Sequence, residues 1–412
     1  METNNQKNDQ NIIPNDADKQ QKGVNVPNLR FKEYCKNWTI EPMENVCKFF
    51  KGRGISKEDL SDTGNPCILY GELYTTYKTA IAKTIKSKTL LDLKSLVHSK
   101  SNDVLIPCSG ETAEDISTSV CIPYDDVLIG GDLTIIRSQL NGAFLSNQIN
   151  SVRKLDIAKI AQGKSIVHIQ ADELKKINIS FPTIDEQLKI ATFVDLLDQR
   201  IDTQSKIIED LELFKKGIWD YIYLTKSIDW KCVKLSDILC ERKDFALKGD
   251  EFIHATLSKD GIFAKTDRYD RDFLVTNDEK EYKITRLNDI CYNPANLKFG
   301  VICLNKFGDA IFSPIYVTYI VKNDFIPSFV ELILTSSRFL KYIRKYEQGT
   351  VYERMSVNSE DFLKGEILIP TKDKQKAIAD YFDMLDLKIK KEKDILELYK
   401  KQKAYLLKNM FI

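Results

Sequence analysis

Asn293-Pro294-Ala295-Asn296 begins like the Asn-Pro-Pro-aromatic loop that grips a flipped adenine for methyl transfer. It lacks the second proline and the aromatic ring that would stack on the base, and no Gly-rich loop for S-adenosylmethionine accompanies it. Gly163-Lys164-Ser165 has the ending of a phosphate-binding loop, but Ala158 stands where that loop needs its first glycine. His98, His168 and His254 have no carboxylate or cysteine at ligand spacing, so no metal site is expected. Nine cysteines are scattered without a C-x-x-C pair, which fits reduced thiols in a cytosolic protein. Methyl transfer, ATP hydrolysis and metal catalysis are therefore not expected of this chain, and no catalytic residue is assigned.

The elements that could position binding groups come next. A chain of 412 residues is too long for one core of ordinary size, so two or more domains are expected. The formal net charge of +1 excludes a generally basic nucleic-acid coat but leaves room for local basic faces. No long apolar run and no basic-then-apolar leader occurs, which points to a soluble, cytoplasmic protein with no membrane partner. Residues 1–27 are rich in Asn, Gln, Asp and Lys and are expected to be a disordered tail.

Beyond the tail the sequence repeats. "FPTIDEQLKIATFVDLLDQRID" at 181–202 returns as "IPTKDKQKAIADYFDMLDLKIK" at 369–390, a constant separation of 188 residues. Each copy opens a long helical pattern and follows a stretch of short β-rich runs broken by Gly and Pro. Each mixed stretch starts near a tryptophan, Trp38 or Trp230, and holds a Gln-Gly pair near its end, Gln162-Gly163 or Gln348-Gly349. Two tandem units of globule plus helix are the reading.

The helical patterns have a 4-3-4-3 rhythm, the period of a coiled-coil seam. In the first copy the seam is Ile190, Val194, Leu197, Ile201, Ile208 and Leu211; in the second it is Ile378, Phe382, Leu385, Ile389, Leu396 and Tyr399. Both seams turn polar at the same two steps, Gln204/Glu392 and Lys215/Lys403, where buried polar residues can fix register and partner. Residues 183–223 carry five basic and nine acidic side chains, and residues 371–412 carry eleven basic and seven acidic. That asymmetry favours pairing of the two helices with each other, in antiparallel fashion, over self-pairing. Pro182 and Pro370 end the preceding strands, and Thr183 with Glu186 is expected to form a capping box that Lys374 breaks in the second copy.

Two unlike regions, each followed by a P-x-x-x-E/K-Q-x-x-I-A-x-x-x-x-x-L-D-x-x-I helix, resemble the specificity subunit of type I restriction-modification systems. The residues that carry the resemblance are Pro182, Glu186, Gln187, Ile190, Ala191, Leu197, Asp198 and Ile201, with Pro370, Lys374, Gln375, Ile378, Ala379, Leu385, Asp386 and Ile389. It covers essentially the whole chain beyond the tail. It implies an α+β fold of two tandem target recognition domains separated by two long helices that pair as an antiparallel coiled coil. The domains would be 28–182 and 229–370, with spacer helices at 183–228 and 371–412. The implied function is recognition of double-stranded DNA, one half of a bipartite asymmetric site per domain. The paired helices would set the gap and dock two methyltransferase subunits, with translocating restriction (endonuclease) subunits joining them. The chain itself would be a non-catalytic recognition subunit; S-adenosylmethionine, ATP and magnesium would belong to the partners. The rival readings are a self-contained restriction-methylation enzyme and a coiled-coil scaffold that binds no DNA.

Direct base readout needs Arg, Lys, Asn, Gln, Ser or Thr on loops that reach a groove edge. In the first region the candidates are Arg137, Gln139 and Asn141 in "IIRSQLNGAFLSNQ", and Lys164 and Ser165 in "AQGKS". In the second they are Asn293, Asn296 and Lys298 in "NPANLKFG", and Gln348, Thr350, Tyr352 and Arg354 in "EQGTVYERMS". Residues 30–181 carry 20 basic against 18 acidic side chains, so any DNA face must arise from segregation of charge in space.

Overall fold

The computed structural model describes all residues except 1–24, 93–95, 164–165, 226–228, 248–251, 266–280 and 350–354. Most of the expected tail, and Lys164, Ser165, Thr350, Tyr352 and Arg354, lie outside the described residues. The chain forms two compact units: residues up to Ser205 together with Asp394–Ile412, and Lys206–Lys393.

In the first unit the head is built on β1 (Thr39–Pro42), β2 (Cys47–Lys51), β3 (Asp103–Pro107), β4 (Val120–Ile122), β5 (Leu133–Ser138) and β6 (Asn178–Phe181). Strands β2, β5, β3 and β4 make an antiparallel sheet in that order. The apolar run "DVLIP" of β3 is buried along its whole length, as its lack of alternation requires. A second sheet orders strands 60–61, 87–89, 65–68, 128–129 and 97–98, with 128–129 parallel to 65–68. Strands β1 and β6 pair from Thr39↔Phe181 to Pro42↔Asn178, which brings the entry and exit of the head side by side.

The second unit repeats this plan with β7 (Lys231–Lys234), β8 (Leu239–Glu241), β9 (Ile290–Tyr292), β10 (Ile302–Leu304), β11 (Val317–Val321) and β12 (Glu366–Ile369). Its four-stranded sheet runs β8, β11, β9, β10, and β7 pairs with β12. Its five-stranded sheet orders 245–247, 281–285, 310–312, 253–258 and 261–264, again with one parallel pair. Two stretches that look unrelated as sequence thus share the four-stranded order and four strands of the second sheet, while the fifth strand, 60–61 or 245–247, joins opposite edges. Short strands need only an apolar face and a turn, so many sequences satisfy the same order.

One corner is common to both heads. Asn102 (φ 79°) and Asn288 (φ 71°) occupy the left-handed region, which asparagine tolerates better than other side-chain-bearing residues. The next residue, Asp103 or Asp289, accepts from the amide three residues back, Lys100 at 2.7 Å or Arg286 at 2.8 Å. Each carboxylate also takes two bonds from one guanidinium. Arg137 donates at 2.7 and 2.6 Å to Asp103, and Arg242 at 2.7 and 3.0 Å to Asp289. These bonds raise both arginine pKa values. Arg137 lies on β5, whereas Arg242 follows β8, the counterpart of β2, so the cation comes from a different strand in each head.

The repeated segments open the central helix (Ile184–Leu224) and the C-terminal helix (Lys372–Met410). Gln187 and Gln375, each 2% exposed, fasten these helices to their heads in the same way. Gln187 accepts from the Asn141 amide at 2.9 Å and donates to the Pro182 carbonyl at 2.8 Å. Gln375 accepts from the Ile326 amide at 3.1 Å and donates to the Pro370 carbonyl at 3.0 Å. Asn141 and Ile326 are the N-caps of matching helices, Gly142–Asn150 and Pro327–Leu334. Glu186 departs from the expected capping box. It is buried, both its oxygens accept from Arg30 at 2.8 Å, and Trp38 Nε1 lies 3.4 Å away. A salt bridge to a buried-side arginine outcompetes a bond back to the helix start. Lys374, its counterpart, pairs with Asp229.

Within each unit a stretch of the central helix runs antiparallel to a stretch of the C-terminal helix. In the first unit Asp198 pairs with Lys403, and Arg200 lies 4.3 Å from the Tyr399 ring centre. In the second, Lys215 pairs with Asp386, and Glu212 with Lys393 at 2.6 Å. The polar seam lysines therefore meet the aspartates of the repeated Leu-Asp motif, reciprocally. Ile190 and Val194 are buried in the first head's core beside Met410, and Phe382 is buried in the second head's core beside Trp219. Ile208 and Ile389 are buried; Leu197, Ile201, Leu211, Ile378, Leu385, Leu396 and Tyr399 are half-buried.

The Asp198 side chain is 10% exposed and that of Lys403 18%. Burial pushes the Asp198 carboxyl up by more than Lys403 pulls it down. A folded value above the unfolded one, about 3.9, means the site stabilises most below that value and loses stability as pH rises through the folded value. Lys403→Met alone is expected to cost about 2 kcal/mol at neutral pH, with a loss that steepens as pH rises. The double change Asp198→Asn with Lys403→Met is expected to stay within about 1 kcal/mol of the parent and to flatten this dependence. Urea midpoints between pH 4 and 8 decide it; a single variant as stable as the parent at pH 8 contradicts the assignment.

Candidate nucleic-acid interface

Several of the polar loop residues serve the heads themselves. Arg137 is held by Asp103 and lies 4.8 Å from the Phe50 ring centre. Asn141 caps its helix by accepting from the Phe144 amide at 2.9 Å. Asn293 is buried; its side chain accepts from Ala295 at 3.1 Å and its amide donates to Val301 at 3.0 Å. The Asn-Pro stretch is thus a structural turn. Gln348 donates to Asp361. Gln139 and Asn296 are exposed, and Lys298 is half-buried over the Phe299 ring at 5.2 Å. Asn293, Asn296 and Lys298 share one turn, closed by the Asn296 amide donating to the Asn293 carbonyl at 3.1 Å.

Buried thiols offer no nucleophile. Burial pushes Cys47 and Cys67 up to about 11, and Cys121 and Cys303 up to about 12.

A further exposed surface, outside the polar loops named above, lies in the first head. Strand Val167–His168 pairs with Ser109–Gly110, and Gln162 bridges back to His168. The second head has the same bridge between Gln348 and Ser356, and both glutamines precede a left-handed glycine, Gly163 (φ 134°) or Gly349 (φ 136°). In the first head Ile166, His168 and Gln170 are exposed while Val167 and Ile169 are buried, a strand alternation. Two cavities flank it. One of about 430 Å³ is lined by Phe49, Lys51, Thr134, His168 and Gln170. The other, about 910 Å³, is lined by Lys57, Tyr70, Tyr74 and Ile166, and both share Ser109 and Asp132. Lys51 and Lys57 belong to "KFFKGRGISK", residues 48–57, which has no acid. Lys48, Lys51, Arg53 and Lys57 are all exposed, and among the described residues none of them forms an ion pair. A cation-and-aromatic run of this kind was visible as a sequence signal.

Comparison with known proteins agrees with this geometry. Residues 35–213 match the type I restriction modification DNA specificity domain. The specificity subunit of the type I restriction enzyme MjaVIII of Methanocaldococcus jannaschii is 24% identical, covering 94% of this chain and 94% of its own length. The S subunit of the type I restriction-modification system from M. genitalium superposes with a TM-score of 0.60 at 15% identity, covering 94% of this chain and 99% of its own. A chain from a study of type I restriction-modification complex assembly and conformational transition gives 0.56 at 13%, covering 90% and 96%. At those identities the two structures establish the fold.

One four-stranded frame is used twice, on helices that pair reciprocally within each unit. Over residues 35–213 the chain matches the DNA specificity domain, and along nearly its whole length it is similar to a type I specificity subunit. Among the described residues no helix is long and apolar enough to cross a membrane.

Proposed function

We propose that each head reads one half of a bipartite, asymmetric duplex site, with the helix pair setting the unread gap between the halves. The observation that carries this is one four-stranded frame presented twice with dissimilar surfaces. Two like frames with unlike side chains suit two unlike half-sites, as symmetric dimers suit palindromes. The domains follow the sequence reading: a tail to residue 27, heads over 28–182 and 229–370, and spacer helices over 183–228 and 371–412. The central helix, 41 residues, is about 60 Å long, enough to span well over one turn of duplex.

The same helices dock two methyltransferase subunits. Leu196 and Met384 occupy equivalent positions on the two helices and are 57% and 64% exposed. Phe193 and Tyr381, three residues earlier, are also equivalent. Two copies of one apolar spot support two copies of one partner. The partners supply S-adenosylmethionine, ATP and magnesium, and restriction subunits join the assembly in the cytoplasm. Mapping modified adenines in DNA from cells that make this chain with its cognate methyltransferase tests the reading. Methylation confined to one two-part sequence with a fixed gap is expected; methylation at a short continuous site overturns it.

A further inference from the structure

We propose that the first head reads its half-site with the segment 166–170, strand 167–168 and its flanks: His168 and Gln170 contact base edges, and Lys51 and Lys57 hold the flanking phosphates. This rests on the half-site reading above and names the surface that performs it.

The segment is anchored by the core. Val167 and Ile169 are buried in the core that also contains Trp38 and Phe144, so the alternate side chains His168 and Gln170 are aimed outward. His168 is oriented before any ligand arrives, because its Nδ1 lies 3.0 Å from the Ser109 hydroxyl. That leaves Nε2 as the ring atom free for a base. Gln170 offers a donor and an acceptor on one amide, the pattern that matches adenine N6 and N7 in the major groove. A ribbon of two short strands also has a width the major groove admits.

Charge decides where the backbone of the duplex goes. Asp132, shared by both cavities, and Glu111, in the larger one, are exposed and repel phosphate, while either carboxylate can accept from an exocyclic amine. Glu72, in the larger cavity, is already taken by the Leu69 amide at 2.8 Å and the Ser87 hydroxyl at 2.6 Å. Lys51 borders one cavity and Lys57 the other, both without an ion-pair partner among the described residues. Cations bordering each cavity and carboxylates within them fit a base edge flanked by phosphate.

The test uses the complex assembled with its methyltransferase subunits and duplexes carrying the mapped site, each with one base pair changed. His168→Ala and Gln170→Ala are expected to weaken cognate binding about tenfold and to relax discrimination at a position of one half-site only. Lys51→Gln and Lys57→Gln are expected to weaken binding to every duplex alike, each lowering the slope of log K against log salt by about one. Gln170→Glu, which keeps the side-chain shape, should change which base is preferred. Variants at 168 and 170 that melt like the parent and discriminate like it at every position overturn the assignment. A parent complex that binds all duplexes alike overturns the half-site reading itself, so the two failures are distinguishable.

Discussion

Replacing residues 28–181 with the corresponding head of another family member changes one half of the recognised sequence and leaves the other half as it was. The expectation follows from how the head is closed. Its entry strand β1 pairs with its exit strand β6, so the inserted stretch begins and ends at one place. Two contacts must be preserved for the graft to seat. The amide at the Asn141 position has to meet Gln187, and the core has to receive Phe411, which packs 5.1 Å from Phe144 and 6.4 Å from Trp38 between ring centres. With both kept, affinity for the old site should fall by about a thousandfold or more, since specific binding exceeds non-specific binding by at least that factor. Binding to hybrid sites, one old half and one new, reads the result. A change in both halves would show that the heads do not act independently.

The second large effect is expected in the heads' cores. Arg242→Leu leaves Asp289, 3% exposed, with a buried carboxylate and no guanidinium. Breaking such a pair on one side costs about 3–5 kcal/mol. Arg137→Leu should act likewise in the first head through Asp103, which is 1% exposed. Changing both partners, Asp289→Asn with Arg242→Leu, should recover most of the loss, because the penalty is the stranded charge. Denaturant unfolding monitored separately for each head checks this. If Arg137→Leu left stability intact but abolished DNA binding, the arginine would be a contact to the nucleic acid and not a brace.

The repeat at 182–201 and 370–389 was legible because identity at a fixed separation needs no structure to be seen. The helix pairing was legible from the 3.5-residue rhythm, and Lys215 and Lys403 stood out as polar seam positions. Their partners were also within reach: in both helices the lysine follows the motif aspartate by the same interval, which an antiparallel pair converts into two reciprocal bridges. The purpose of Gln187 and Gln375 was not legible, since their partners Asn141 and Ile326 are remote in sequence and share no residue type. Nor was the common frame of the heads, whose four-stranded sheets agree in order but not in composition. Arg137, Asn141 and Asn293 have the right chemistry for a base and equally for a brace, a cap or a turn, and each makes such an internal bond. What distinguishes the two uses is whether the hydrogen-bonding capacity is already spent inside the fold.

The Asn-Asp corner has a practical consequence for anyone grafting loops between heads of this kind. Because its carboxylate is satisfied from β5 in one head and from just beyond β8 in the other, matching arginine to arginine would shift the two frames by a whole strand. Indexing on the corner itself, Asn102-Asp103 against Asn288-Asp289, keeps transplanted segments in phase.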